Sequence, residues 1–283
     1  MKTEKVKKER FSLKEWFKKD LKETKALFKG LPAIPFTMVC MSFILMNLLA
    51  TVPLFNTPWI AGDVGFLVSW LAFLFGDMFV KRYGAKGSIK IQIAALLVSL
   101  FVLGILAGGS AIEVGLFGQN YTLGLFNWSI DLEHGAVTLW TLGASAIAFL
   151  ISNIFNSIIS KFILTKFKER TSFKAYATAA YTSTFIGQFV DNIIFAMLFT
   201  FIASRIPQMQ TAWSLQPVTF LAALTCALTG AVLELLLEVI FSPIGFKVAE
   251  RWRKEGVGAE YIALVPDAQE VNNNVDCVTD IIG

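Results

Sequence analysis

Six stretches of this chain are long and apolar enough to cross a bilayer as helices, each needing about 20 predominantly apolar residues. They run Ala33–Leu54, Ile60–Val80, Ser88–Ala107, Val137–Ile159, Tyr176–Ile206 and Val218–Phe246. The last two have length to spare for tilt, and Pro243 is placed to kink the sixth near its end. A hydrophobic fraction of 55% exceeds what a soluble domain of 283 residues needs to fill a core. The predicted fold class is an all-α integral membrane protein with six transmembrane helices.

Lysine and arginine set the predicted orientation. Residues 1–30 hold 11 of them, and the rest follow the second, fourth and sixth spans, leaving Arg205 alone on the opposite side. The positive-inside rule then puts both termini in the cytoplasm and the chain, multi-pass, in the cell membrane. The same distribution explains the net charge of +4 without nucleic acid, because the basic residues flank apolar runs.

The predicted domains are a basic segment over 1–32, a six-span membrane domain over 33–254 and a polar cytoplasmic tail over 255–283. In the first, Phe11, Leu13, Trp16, Phe17, Leu21, Leu27 and Phe28 recur at helical spacing among lysines, the pattern of an amphipathic helix on the inner leaflet. The tail is acidic and polar, and reads as loosely ordered. Residues 108–136 read either as a lid folded on the membrane surface or as a plain connector. The first 30 residues lack a signal peptide's apolar centre. Cys40, Cys226 and Cys277 form no disulfide framework or CxxC site, and the single histidine, His134, makes no metal cluster. No cofactor is implied.

Polar residues inside the spans are the functional signal, since a charge at the bilayer centre costs about 2.5–3.5 kcal/mol on insertion scales. The fifth span carries Tyr181, Thr184, Gln188, Asp191 and Phe195 on one helical face, with Asn192 beside them. Glu234 and Glu238 lie four apart in the sixth span, and Asn153 and Asn156 three apart in the fourth. Asn47 and Asp77 lie in the first and second. No Lys or Arg within the spans is available to neutralise the central acids, so protonation or a hydrogen-bonding ligand must do so. Packing hydrogen bonds between helices are the alternative use of such groups. The segment 151–159 also echoes 186–194, with Ile, small, amide, two apolar, Asn or Asp, polar, Ile, Ile in both. The two predicted spans run in opposite directions, as in the inverted pairs of transporters.

Enzyme signatures are missing. There is no phosphate-binding loop. Gly76-Asp77 matches only half of an intramembrane aspartyl protease motif, with Leu74 where its first glycine would stand.

Three segments, in order, resemble the queuosine-precursor or vitamin uptake transporter family over about residues 40–254. Ser183-Thr184-Phe185-Ile186-Gly187-Gln188-Phe189-Val190-Asp191 is similar to the family's Ser-Thr-x-Ile-Ser-Gln-x-x-Asp. Gly76-Asp77 with Tyr83-Gly84 resembles its Gly-Asp and Tyr-Gly, and Leu235–Glu238 with Ser242-Pro243 resembles its Glu-Val-x-x-x-Pro. The chain departs from the family at Val80-Lys81, where Thr-Glu is usual, and at Asn153 and Asn156, where Gln-x-x-Asp is usual. It departs again at Asn192, where Ser or Thr is usual. The resemblance implies uptake of 7-deazaguanine compounds, purine-like molecules whose N–H groups suit Asp191 or Glu238, whose carbonyl suits Gln188, and whose face could stack on Phe185, Phe195 or Trp70. Two other readings stand beside it. One is the substrate-binding subunit of an energy-coupling-factor importer, which would borrow partner ATPases; the other is a membrane enzyme. A homodimer is also compatible with the sequence, and the lipid bilayer is a partner in every reading.

Overall fold

A computed structural model describes residues 13–49, 53–56, 61–117, 132–202, 205 and 219–273. Its α-helices are α1 Leu13–Lys29, α2 Ala33–Leu49, α3 Phe66–Phe117, α4 Leu132–Leu164, α5 Phe173–Phe195, α6 Phe220–Lys254, α7 Ala259–Leu264 and α8 Pro266–Asn272. Strands β1 Pro53–Asn56 and β2 Ala61–Asp63 pair antiparallel between α2 and α3, and a π-helical segment, Ala196–Ile202, continues α5.

The six-span expectation is corrected. Among the described residues three helices are long and apolar enough to cross a membrane, within Phe66–Leu106, Gly143–Leu164 and Ala223–Lys254. A fourth is added if α1 and α2, bent by 101° at their junction, count as one span. The reasons are local. The predicted second and third spans are one helical element with no loop between them, broken only at Gly84 (φ 71°, ψ 177°). Across that break the arms lie side by side, with Ser88 Oγ donating to the Gly76 carbonyl at 3.1 Å. The predicted first span ends early because its last residues enter β1. The predicted fifth carries polar residues along a continuous α-helix, and its end becomes π-helical. The N-terminal segment is a helix, in which Leu27 is fully buried while Leu13, Trp16 and Phe17 are exposed. Phe11 lies outside the described residues. The predicted loop over 108–136 is helical as far as Phe117 and again from Leu132, the remainder lying outside the described residues.

The helices are polar inside and apolar outside. Leu97, Phe101, Ile105, Ile158, Phe162, Leu236 and Ile240 are exposed, whereas Asn156, Ser157, Thr184, Gln188 and Glu238 are fully buried. Hydrocarbon solvates the former, and the latter must be satisfied within the protein. α5 packs between α4 and α6, and α3 packs against both neighbours as well as α2. Ser172 caps α5, its Oγ accepting from the Ala175 N–H at 3.2 Å. Pro243 does not break α6. The carbonyl it deprives of an N–H is that of Val239, and Ser242 Oγ donates to that carbonyl at 3.2 Å.

Residues 259–272, expected to be loosely ordered, instead form α7 and α8 and bury Tyr261, Val265, Ala268 and Val271. Pro266 starts α8, where its missing N–H costs nothing. This segment grips the break in α3. Arg82 donates through Nε to the Val257 carbonyl and through Nη1 to Asn272 Oδ1, both at 2.7 Å, and Asn272 Nδ2 returns a bond to the Arg82 carbonyl at 2.8 Å. Asp267 accepts the Lys86 N–H at 2.9 Å and pairs with Lys161 at 2.5 Å.

Gly84 is required there twice over. Its φ suits glycine alone, and a Cβ would lie 2.8 Å from the Asp267 carbonyl oxygen. Gly256 has a similar φ of 69° but open space around it. In thermal unfolding of the purified protein, Gly256→Ala should lose about 1 kcal/mol, the left-handed penalty alone, and Gly84→Ala clearly more. Equal melting points for the two variants would show that α8 yields to the added methyl.

Candidate functional site

The buried polar residues of α3, α4, α5 and α6 gather between those helices in three groups. The first centres on Asp77 of α3, whose carboxylate is 1% exposed. Thr184 Oγ1 donates to it at 3.0 Å, and Ser183 Oγ and Asn156 Nδ2 each at 3.3 Å. Ser160, one turn from Asn156 on α4, hydrogen-bonds the same carboxylate. Lys81, one turn from Asp77 on α3, does not pair with it: its ammonium meets Glu250 at 3.1 Å and lies over the rings of Tyr176 and Phe246.

The second group joins α3, α5 and α6 at Glu234, which accepts from Ser69 Oγ and, at 3.4 Å, from Asn192 Nδ2. Nearby in sequence, Asp191 is half-buried and accepts from Ser152 Oγ of α4 at 3.1 Å.

The third group is defined by what it lacks. Both amide atoms of Gln188 and both carboxylate oxygens of Glu238 are buried without a hydrogen-bond partner. Gln188 stands one turn from Thr184 on α5, and Glu238 is close enough to Asp77 for their charges to interact. One turn from Glu238 towards the Lys81 end, Ser242 meets the Tyr181 hydroxyl at 2.7 Å. Leaving a buried donor or acceptor unmade costs about 1–3 kcal/mol, and more when charged. Two such side chains stand out for having every side-chain polar atom unmet.

The predicted residues divide accordingly. Asp77, Asn156 and Thr184 meet directly, as do Asn192 and Glu234, while Gln188 and Glu238 are each buried without hydrogen-bond partners. Asn153 lies beside Gln92 in a crevice between α3 and α4, its amide donating to the Phe149 carbonyl at 2.8 Å. Asn47 bonds the Phe43 carbonyl of its own helix at 2.7 Å and is not drawn into these groups. Phe195 ends α5, half-buried. Trp70, considered for stacking, is already stacked on Phe241 at 4.5 Å. Sequence reasoning passed over Ser69, Ser152 and Ser160, the hydroxyls that hold the acids. Their one signal was position, on helical faces shared with the amides and acids of the same spans. Among the described residues no three His, Cys, Asp or Glu side chains gather as a metal cluster.

Residues 63–248, well over half of the chain, match the family described as "Putative vitamin uptake transporter". No curated protein and no solved structure matches it. The matched region contains all of the acids, amides and hydroxyls of the three groups, so the chemistry just described lies wholly within it. The chain belongs to this family, and is a multi-pass membrane transporter for uptake of a vitamin or related metabolite rather than an enzyme.

Proposed function

We propose that the chain imports a queuosine precursor or related 7-deazaguanine, bound between α3, α4, α5 and α6. The observation that carries this is the pair of unpartnered side chains, Gln188 and Glu238. A carboxylate offers two acceptors side by side, which suits the adjacent ring N–H and amino donors of a guanine-like edge. A primary amide offers a donor to the neighbouring carbonyl and an acceptor besides. Asp191 and Glu234, each already holding a serine, flank the bound edge. A substrate with an aminomethyl cation gains further from the excess of carboxylates.

The orientation proposed is with both termini in the cytoplasm. In its support, Lys81, Arg82, Lys86, Lys90 and Lys161 gather at one end of the molecule, where α1, α7 and α8 cover them.

A ligand that binds only the folded form raises its melting temperature. The purified protein should therefore be stabilised by 7-deazaguanine bases, and not by adenine or by B vitamins of other shapes. Stabilisation by one of those vitamins and not by deazaguanines would replace this substrate class with another.

Glu238→Gln keeps the shape of the side chain but turns one acceptor into a donor. With about 1.5–3 kcal/mol for a charge-assisted bond, affinity should fall roughly tenfold to more than a hundredfold. Gln188→Leu should weaken binding by a smaller factor, because a neutral bond is lost. Asp191→Asn, whose carboxylate already has Ser152 as partner, should weaken it less than Glu238→Gln does. Titration calorimetry on protein that elutes as wild type gives the order. If Asp191→Asn loses the most, the binding edge faces Asp191 and not Glu238.

A further inference from the structure

We infer that Asp77 anchors a sodium site, formed by α3, α4 and α5, that couples uptake to the sodium gradient. The inference rests on the transporter reading but uses residues that the proposed substrate contacts do not.

Most of the oxygens are already assembled. Around the Asp77 carboxylate stand the hydroxyl of Thr184 at 3.0 Å, the hydroxyl of Ser183 at 3.3 Å and the amide nitrogen of Asn156 at 3.3 Å. Ser160 adds a third hydroxyl. Every one of these side chains is at most 3% exposed. Hard cations take oxygen ligands at roughly 2.3–2.6 Å, which places neighbouring ligand atoms about 3.3–3.6 Å apart. The two hydroxyl oxygens stand 3.0 and 3.3 Å from the carboxylate, hydrogen-bond distances that a small cation replaces with little movement. A hydroxyl that donates to a carboxylate needs only to rotate to present its lone pair instead.

Two further observations point to a missing positive charge. The Asn156 Oδ1 atom is buried with no partner, although its own Nδ2 touches Asp77. Turned over about its last side-chain bond, the Asn156 amide brings that oxygen to the carboxylate in place of its nitrogen, an arrangement that a cation between the two makes favourable. The second is the charge balance. Among the described residues no Lys or Arg pairs with Asp77; Lys81, on the same helix, is taken by Glu250. Glu238 adds a second carboxylate whose charge interacts with that of Asp77 and whose oxygens are both unpartnered.

The donor set selects the ion. One carboxylate with neutral hydroxyl and amide oxygens suits a monovalent hard cation. Divalent and transition metals draw several acids, histidines or thiolates, which are not gathered among the described residues. The placement gives the ion a role. Thr184 is one turn from Gln188 on α5, so a cation that ties Thr184 to Asp77 and Asn156 fixes the face presenting Gln188 to the substrate. Binding of either would then favour the other.

The test is thermal unfolding of the purified full-length chain in sodium, potassium and choline chloride at matched ionic strength, without substrate. The expected result is a saturable rise in melting temperature specific to sodium. Its half-saturation should move at least tenfold in Asp77→Asn and be weakened in Thr184→Val, which keeps the shape of threonine and removes its oxygen. Equal melting temperatures in the three salts overturn the inference, including the case in which pH alone shifts them, which would make the proton the cation. A sodium effect intact in Thr184→Val and Asp77→Asn also overturns it. If Asp77→Asn does not fold, the salt series on wild type and Thr184→Val decides. Uptake into vesicles separates the two readings. Sodium-specific stabilisation without deazaguanine uptake keeps the ion site and removes the substrate reading, while uptake without any sodium effect does the reverse.

Discussion

Hydrocarbon makes no hydrogen bonds, and the rest of this structure follows from that. Apolar side chains gain little by turning inward when the solvent is itself apolar, so Phe101 is 69% exposed and Leu97 62%, while Gln188 and Glu238 are completely covered. In water this distribution would aggregate. In a bilayer it concentrates many of the polar obligations in the space between α3, α4, α5 and α6. Most are discharged locally by hydroxyls: Ser152 to Asp191, Ser69 to Glu234, Ser183 and Thr184 to Asp77. Among the obligations left over are those at Gln188, Glu238 and the Asn156 oxygen, which nothing outside the protein can meet.

A site left partly unsatisfied needs stability from elsewhere, and the end of the molecule around Gly84 supplies it. The break in α3 is held by α8 from one side and α1 from the other, with Lys86 bonded to Glu23 and Lys90 to Asp20 at 2.8 Å. Tyr83 reaches the Gly30 carbonyl at 3.0 Å. These contacts differ in weight. Lys29–Glu260 is 71% and 59% exposed, so solvent screens it and little is gained. Lys81–Glu250, at 5% and 14%, is desolvated, and removing one partner would leave a buried charge with no compensation. The strong contacts therefore sit at the break itself and the weak one at the rim.

What the sequence shows of this depends on whether a feature announces itself locally. A carboxylate in an apolar run does, and Asp77, Asn156, Gln188, Glu234 and Glu238 are all buried between helices. Their partners do not, because a serine in a span looks the same whether it bonds its own helix, as Ser42 bonds the Met38 carbonyl, or another, as Ser152 does. Asn47, which also reads as a site residue, bonds its own backbone. The number of spans was not legible either. Hydropathy cannot tell a loop from a helix folded at one glycine, and the Lys and Arg residues near Gly84 look like a loop. The burial of Tyr261, Val265 and Ala268 was hidden because it depends on α1 and α3, not on the composition of the tail.

The polar groups reach one another because glycines stand opposite them. A Cβ at Gly230 would lie 2.9 Å from Asn192 Nδ2, and one at Gly76 would lie 2.9 Å from Gln92 Nε2. At Gly187 it would meet the Phe73 ring at 2.9 Å and Asn156 Cβ at 3.1 Å. Small residues let helices approach in membranes where the hydrophobic effect does not press them together. Here the approach does more than pack. Gly187 directly precedes Gln188, so the closeness of α5 to α4 that it permits also sets where the Gln188 amide stands. A methyl there would have to be accommodated by a shift of α5, and Thr184 would move with it from Asp77. The Gln188 amide and the hydroxyl on the buried acid thus share one mechanical origin, the close contact of two helices at a residue with no side chain.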